Sequence, residues 1–464
     1  MAGEPLEKIG YADKAVPNIT VQILSLLLLT GLAFGLALSW SKTLLNITTA
    51  IAIISVVFAA LRLTACLIKR SKKPDITVID DWPFYTVLVP LFHEANMVPQ
   101  LMAALSQLDY PKDKLEIFMI CEAVDPETIN EVRKRISGSF HLVIVPPGSP
   151  QTKPRALNFA MQRARGTFVT IYDAEDMPHP SQLKAAVRAF KTNPKLGAVQ
   201  APLDYANANT NSLTRQFGLE YAALFHVWVP FLATMDLPFP LGGTSNHMRR
   251  RALDEVQGWD SHNVTEDADL SFRLAAKNWY IGYITPPTQE EAVCDFDAWH
   301  YQRARWMKGY MQTWQSHMRA PLAPGGWRGL ARFLTLQLTL GLTLINALFH
   351  LPVMAGVAIY YLHHHLAGHA IIIPTPYLVS VAISYAAGMV IGAVGALRAN
   401  KPELLLSVPF MPFYWFALCA PTIRALLELR RNPFHWHKTD HGITPQTLLK
   451  APVKSLTNAH EYYS

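Results

Sequence analysis

Five short groups of acidic, basic and aromatic residues are spaced so that they could do chemistry together. Pro90-Leu-Phe-His93-Glu94 places a carboxylate behind an apolar run, and Cys121-Glu122-Ala-Val-Asp125 does so again. Carboxylates at the ends of neighbouring strands can accept hydrogen bonds from a base and a ribose, although an acid at such a point also serves as a helix cap. Asp173-Ala-Glu175-Asp176 sets three carboxylates in four residues behind the apolar run 168–172. Such a cluster repels itself unless a cation sits among its members. Magnesium and manganese, hard ions that take oxygen ligands and bridge phosphates, suit it; the plainer reading is a solvated turn ahead of a helix near Ser181. Thr265-Glu266-Asp267 opens a predicted helix over 268–277, which makes Thr265 a cap and Asp267 a candidate proton acceptor. In Gln302-Arg303-Ala304-Arg305-Trp306, residues Gln302, Arg305 and Trp306 share one helical face. A guanidinium there can clamp a diphosphate and an indole can stack on a sugar ring, whereas the plainer reading is an interface helix with snorkelling arginines.

These groups need a scaffold that brings them together. Between Phe84 and about His317, short apolar runs alternate with amphipathic stretches. Segments 85–90, 115–121, 141–145, 167–172 and 196–200 read as strands, and 96–107, 126–136, 155–165 and 181–191 as the helices between them. Strand and helix in strict alternation predict a mostly parallel, doubly wound sheet whose ligands sit beyond the carboxyl ends of the strands. The acidic groups fall at those ends.

Half of the 464 residues are apolar and 16% are charged. With a mean hydropathy of +0.14, this composition points to a soluble domain combined with membrane helices. The net charge of +7 gathers beside apolar segments, as at Lys69, Arg70, Lys72 and Lys73, which suits membrane flanks better than a nucleic-acid stripe. The four cysteines are far apart and lack CxxC spacing, which argues against a disulfide framework or a zinc site. Runs 19–40 and 44–68 are each long enough to cross a bilayer and read as a helical hairpin. The basic cluster after them puts the N-terminus and everything beyond Pro74 in the cytoplasm. The start, with Glu4 and Glu7, lacks the basic stretch of a secretory signal, so the first run is expected to stay as an anchor. Runs 333–361 and 376–397 are further spans. Run 404–429 is interrupted by Pro409, Pro412 and Pro421 and carries Arg424 and Glu428. It is expected to lie in the interface or to re-enter, because Arg430 and Arg431 beyond it favour the cytoplasmic side.

Taken in order, the strand-end acids, Asp173-Ala-Glu175-Asp176, Thr265-Glu266-Asp267 and Gln302-x-x-Arg305-Trp306, with spans on both sides, resemble the processive family 2 glycosyltransferases of bacteria, such as cellulose, chitin and hyaluronan synthases. Lys153-Pro-Arg-Ala-Leu-Asn158 is similar to that family's K-x-x-A-L-N segment, and Gly242-Gly243-Thr244-Ser245-Asn246 to its acceptor-side G-T-S segment. Trp436-His-Lys438-Thr439-Asp-His441-Gly442 is similar to its gating loop F-x-V-T-x-K-G. The resemblance implies an α/β GT-A (Rossmann-like) cytoplasmic domain joined to an α-helical transmembrane bundle. Its expected parts are a cytoplasmic N-terminus at 1–17, a transmembrane hairpin at 18–68, the GT-A domain at 84–317, an amphipathic interface helix at 318–334, two transmembrane helices at 335–397, an interfacial or re-entrant helix at 403–431, and the gating-loop segment and tail at 432–464.

The implied reaction is inverting transfer from a nucleotide sugar, UDP-glucose foremost, that polymerises a β-linked polysaccharide and carries it across the inner membrane. Glu94, Glu122, Asp125, Lys153, Asp173 and Arg305 would hold the nucleotide. Asp173, Glu175 and Asp176 would hold a magnesium or manganese ion, and Asp267 would be the general base. Gly243, Thr244, Ser245, Glu266, Gln302 and Trp306 would line the acceptor side, and Trp436, Lys438, Thr439 and His441 would form the gating loop. The implied partners are a UDP-sugar, a growing glycan, membrane lipid and candidate export subunits, with no nucleic acid. Glu122 and Glu175 stand where the family has Asp, which moves each charge outward by a methylene. His441 replaces a lysine, so its hold on a diphosphate is expected to weaken as pH rises through roughly 6.5. Two other outcomes stay open: a non-processive enzyme that adds one sugar to a lipid-linked acceptor, and a non-catalytic export scaffold.

Overall fold

The computed structural model describes residues 39–68, 79–368 and 375–434. The first helix of the expected hairpin lies almost wholly outside them. The second forms α1 (Trp40–Leu67), an apolar helix with no acidic residue in its first turn.

Strands β1 (Tyr85–Leu91), β2 (Leu115–Glu122) and β4 (Phe168–Ile171) are continuous apolar runs buried along almost their whole length, as interior parallel strands must be. With β3 (Phe140–Val145) they form a parallel half-sheet in which β1 pairs with β2 and β4, and β2 pairs with β3. Helices α2 (Val98–Ser106), α3 (Pro126–Arg133), α4 (Lys153–Met161) and α5 (Gln182–Thr192) alternate with the strands. Leu88 faces one core with Ile120, Val169 and Trp259, while Val87 and Val89 face another with Leu101, Met119 and Phe190. The period of two along β1 therefore divides its side chains between two covered faces. Each such fully buried side chain is worth about 1.5–3 kcal/mol.

The second half departs from the expected mostly parallel sheet. The strand order is β3-β2-β1-β4-β8-β6-β9, and β8 (Asn246–Arg249) runs antiparallel between β4 and β6 (Leu196–Gln200). β9 (Tyr280–Tyr283) then pairs in parallel with β6. The short strand β8 reads Asn-His-Met-Arg and offers no apolar run by which the pattern could reveal it. A small second sheet pairs β10 (Thr288–Glu290) with β5 (Met177–Pro178) and β7 (Leu203–Tyr205).

Helix α6 (Ser212–Ala223) starts at Asn211, whose side chain and Thr214 form a reciprocal cap, and it runs through a π-helical turn (Leu224–Trp228) into α7 (Val229–Thr234). By length and composition, four helical stretches among the described residues could cross a membrane: Ser212–Thr234, Gly326–Leu366, Leu378–Arg398 and Pro402–Arg431. The first packs inside the protein instead, with 72% of its most apolar window buried. The second comprises α11 (Gly326–Leu336), a π-helical turn (Gln337–Gly341) and α12 (Leu342–Leu366), reached after α8 (Arg250–Glu255), α9 (Glu266–Ala276) and α10 (Phe296–His317). Next, α13 (Thr375–Arg398) packs along α1, and Arg398 donates to the carbonyls of Cys66 at 2.7 Å and Ile68 at 3.0 Å. The proline-rich stretch breaks, as its prolines dictate, into a 3-10 segment (Pro402–Phe410), α14 (Met411–Ala417) and α15 (Cys419–Arg431). α15 lies along α10, where Glu428 takes Lys308 at 3.1 Å and Arg424 at 2.8 Å.

A buried ionic clamp fixes α9 against α10. Asp269 accepts from Arg273 Nε at 2.6 Å and lies 3.0 Å from His317 Nε2. Arg273 also donates to the carbonyls of Val256 and Gly258, each at 2.7 Å. Burial alone would raise the Asp269 carboxyl, but Arg273 and His317 outweigh it and hold it down at about 2. Since that lies below the unfolded value near 3.9, the clamp stabilises fully above pH ~4 and its contribution is lost as pH falls through the folded value. Asp269→Asn leaves the buried Arg273 without its anion and should cost about 3 kcal/mol. The check is the thermal midpoint of the detergent-solubilised protein, which should drop for the variant at pH 7 and converge with the unsubstituted protein near pH 2; an unchanged midpoint at pH 7 would show the clamp to be idle.

Candidate active site

The sequence leads Asp173 out of β4 into a tight turn ending at β5. Asp176 closes that turn by accepting from the Asp173 backbone N–H at 2.7 Å and from the Thr244 hydroxyl. It is 1% exposed, and burial, then Asp173 and Glu175, push its carboxyl far above the usual range. Asp176 does not reach the cavity, whereas Asp173 and Glu175 do. That cavity, of about 740 Å³, opens at the carboxyl ends of β1, β2 and β4 and also takes in Glu94, Glu122, Lys153, Gly243, Thr244, Glu266, Asp267, Gln302, Arg305 and Trp306.

Three segments remote in sequence meet at Gly243. Lys153, the first residue of α4, donates to Asp173 Oδ1 at 2.5 Å and to the Gly243 carbonyl at 2.8 Å. A methyl group at Gly243 would lie 3.6 Å from Asp267 Oδ2, 3.8 Å from Lys153 Nζ and 3.9 Å from Asp173 Oδ2. The carboxylate of Asp267 thus faces the Asp173 cluster, in the first turn of α9.

Electrostatics separates the two acids of Thr265-Glu266-Asp267. Burial raises both; Glu266 is pushed up to about 8 with Asp267 as its second cause, while Asp267 reaches about 6, held back by the Ala268 backbone N–H and by Lys153. Of the two acids, Asp267 is thus the one drawn back toward its charged form, and its raised position makes that carboxylate more basic than a free one. Burial would lower Lys153, yet Asp173, Glu266 and Asp267 together raise it, so it stays an ammonium. Burial lowers Arg305 as well, against the pull of Glu266, Asp173 and Asp267, which it faces.

The other arginine of that motif has a different neighbourhood. Arg303 is 2% exposed and forks onto Glu220, at 2.8 Å and 2.5 Å, while donating to the Tyr414 hydroxyl at 2.7 Å. Its guanidinium lies 4.5 Å from the centre of the Trp306 ring, which it holds in place together with the edge of Phe217.

Residues 168–420, more than half of the chain, match the family described as "Glycosyl transferase family group 2". The chain belongs to this family. The match covers the Asp173 turn, Gly243, Asp267 and Arg305. Among relatives, the chain is 26% identical over 388 residues to the beta-monoglucosyldiacylglycerol synthase of Synechocystis sp., covering 80% of this chain and 77% of that protein. It is 26% identical to glucomannan 4-beta-mannosyltransferase 7 of Arabidopsis thaliana over 49% of this chain and 43% of that one. Among solved structures, the mannosyltransferase PcManGT from Pyrobaculum calidifontis, in complex with GDP-Man and Mn2+, superposes with a TM-score of 0.52 at 21% identity, over 81% of this chain and 98% of that one. The fold is accordingly GT-A-like, with long apolar helices after the catalytic domain.

Within this family 2 domain, three of the residues singled out in the sequence stand elsewhere. Asp125 is 1% exposed; it accepts from the backbone N–H of His93 at 2.6 Å and of Thr128 at 3.2 Å and so caps α3. Ser245 is fully buried, its hydroxyl 2.6 Å from that of Thr288. Asp176, as described, shapes the turn. Glu122 stays at the cavity, raised by burial and eased by Arg155 Nη1 at 3.7 Å. Trp436, Lys438, Thr439 and His441 lie outside the described residues. Glu290, Glu291 and Tyr310 also line the cavity, unforeseen from the sequence. Tyr310 is one turn beyond Trp306 on the same face and could have been found by that spacing. The two glutamates sit on and just after the three-residue β10, which carries no local signal.

Among the described residues, no cluster of three or more His, Cys, Asp or Glu is arranged to enclose a metal ion. Asp173 and Glu175 instead offer two carboxylates to an open cavity, which fits a magnesium-like ion that uses one or two carboxylates and completes its shell with phosphate oxygens and water.

Gly243→Ala tests the meeting point. The added methyl makes only ordinary contacts, so the variant should fold, yet it occupies the space between base, ammonium and Asp173. Its kcat/KM should fall on the order of 10–100-fold at an unchanged thermal midpoint; full activity would place the reacting atoms elsewhere.

Proposed function

We propose that this chain is a membrane-associated, inverting glycosyltransferase that moves one hexose from a nucleotide-sugar donor to the hydroxyl of a lipid. The observation that carries the reading is the convergence of Asp267, Lys153 and Asp173 on Gly243, inside a cavity that apolar side chains such as Phe58, Trp228, Leu338 and Ile391 also line. Asp267 takes the acceptor proton, while Lys153 and Arg305 present cationic charge to the departing diphosphate. A divalent magnesium or manganese ion held by Asp173 and Glu175 would supply further positive charge to the same oxygens. Glu94 and Glu122, one strand apart, suit a base and a ribose, and Trp306 presents its face to a sugar. A single displacement inverts the anomeric centre, so an α-linked donor gives a β-linked product.

Lipid is favoured over polymer because the relative that spans 80% of the chain is named for monoglucosyldiacylglycerol synthesis. The order of motifs resembles processive synthases, but no relative reported above is named as a cellulose, chitin or hyaluronan synthase, and none supports export subunits. A second reading, chain extension, rests on the Arabidopsis relative named for glucomannan. The membrane placement proposed here keeps the catalytic domain cytoplasmic and Pro402–Arg431 in the interface, consistent with its packing along α10.

Incubation of the purified protein with radiolabelled UDP-glucose, UDP-N-acetylglucosamine and GDP-mannose in lipid vesicles should yield a lipid carrying one sugar; a ladder of oligosaccharides would favour extension. Asp267→Asn should lower transfer by about 10²–10⁴-fold with donor binding retained, and full activity would remove Asp267 as the base. An engineered cysteine after Gly442 should be labelled from the cytoplasmic side; labelling from outside alone would make Pro402–Arg431 a true span.

A further inference from the structure

The cavity is not lined by charged groups alone. Phe58 of α1, Trp228, Leu338, Leu340 and Ile391 line it as well. Both π-helical turns, Leu224–Trp228 and Gln337–Gly341, contribute to its lining. Such insertions into helices gather at functional sites, because they shift side chains out of regular register. The outer faces of the helices around it are apolar as well: Ile53, Val57 and Leu63 of α1 and Ile345 of α12 are exposed.

One cation stands beside these apolar side chains. Arg62 lies near the C-terminal end of α1, and its guanidinium carbon stands 4.2 Å from the centre of the Phe58 ring, one turn earlier in the helix. A snorkelling arginine would reach toward the basic segment that begins at Lys69, in the direction of water. Arg62 leans the other way and lines the cavity that holds Asp267 and Asp173. Among the described residues its cationic contact is with that ring, and no carboxylate pairs with it. A guanidinium in apolar surroundings is costly without an anion, and its planar fork matches a phosphate.

We infer that Arg62 binds the phosphate of a glycerophospholipid acceptor, whose acyl chains lie along the apolar side chains of the cavity and whose headgroup hydroxyl reaches Asp267. This rests on the lipid-acceptor reading above and narrows it from lipids in general to phosphorylated ones. In the transfer, a bond forms between the headgroup oxygen and the anomeric carbon, and the bond from that carbon to the diphosphate oxygen breaks. The hydroxyl proton goes to Asp267, and the bonding electrons leave with the nucleoside diphosphate.

The test compares two acceptors, phosphatidylglycerol and diacylglycerol, each in phosphatidylcholine vesicles with the full chain and the active donor of the panel. For Arg62→Gln, the ratio of kcat/KM with phosphatidylglycerol to that with diacylglycerol should fall about tenfold or more, as loss of a charge-assisted pair requires. Arg62→Lys should recover part of it. An equal loss with both acceptors would assign Arg62 to structure and overturn the inference. So would transfer to diacylglycerol that phosphatidylglycerol merely stimulates without itself being glycosylated. If the unsubstituted protein makes no glycolipid from either acceptor but consumes donor into polymer, the lipid-acceptor reading itself falls, and the inference with it; a glycolipid formed only from diacylglycerol overturns the inference alone.

Discussion

Lys153 stands among carboxylates drawn from distant parts of the chain, and the geometry of the site depends on the balance between its charge and theirs. Asp173 and Asp267 both come within 4 Å of one point beside the ammonium. Glu266 and Glu290 add two more buried acids to the same cavity. Like charges this close in a poorly solvated space either take up protons or recruit a cation. The protein does both: Glu266 and Asp176 are pushed toward the neutral form, while Lys153 pairs with Asp173. Asp267 is raised as well, but the Ala268 backbone N–H and Lys153 draw it back toward its charged form.

On two helices, a side chain at the site is accompanied by a neighbour that turns away from it and anchors the helix. Residues two apart on a helix point to nearly opposite sides, about 200° around the axis. On α9 this lets Asp267 face the cavity while Asp269 anchors the helix through Arg273 and His317. On α10, Arg305 faces the carboxylates while Arg303 is taken up by Glu220 and Tyr414 and steadies Trp306. On both helices, residues two apart thus divide between facing the other charged groups of the site and anchoring the helix.

The cavity joins two solvents. The same cavity is lined by acids and cations suited to a phosphorylated sugar and by apolar side chains, Leu338 and Ile391 among them from helices long enough to cross a bilayer. The extra helices are not an appendage, since Arg398 ties α13 to the end of α1 and α15 lies along the helix that carries Arg305 and Trp306.

The sequence by itself determined the parallel half-sheet, the amphipathic helices between its strands, the apolar helices around the domain and the order of charged motifs at strand and helix ends. These follow from periodicity and from chemistry within a few residues, which a linear reading can detect. Tertiary structure alone decided that β8 would enter the sheet antiparallel, that Asp176, Asp125 and Ser245 would support rather than line the cavity, and that Glu290, Glu220 and Arg62 would join it. Those outcomes depend on partners far away along the chain, as with Arg303 and Glu220 or Lys153 and Gly243. Whether a buried polar residue faces a cavity or a core is set by which partner satisfies it, and packing selects that partner only once the distant segments have met.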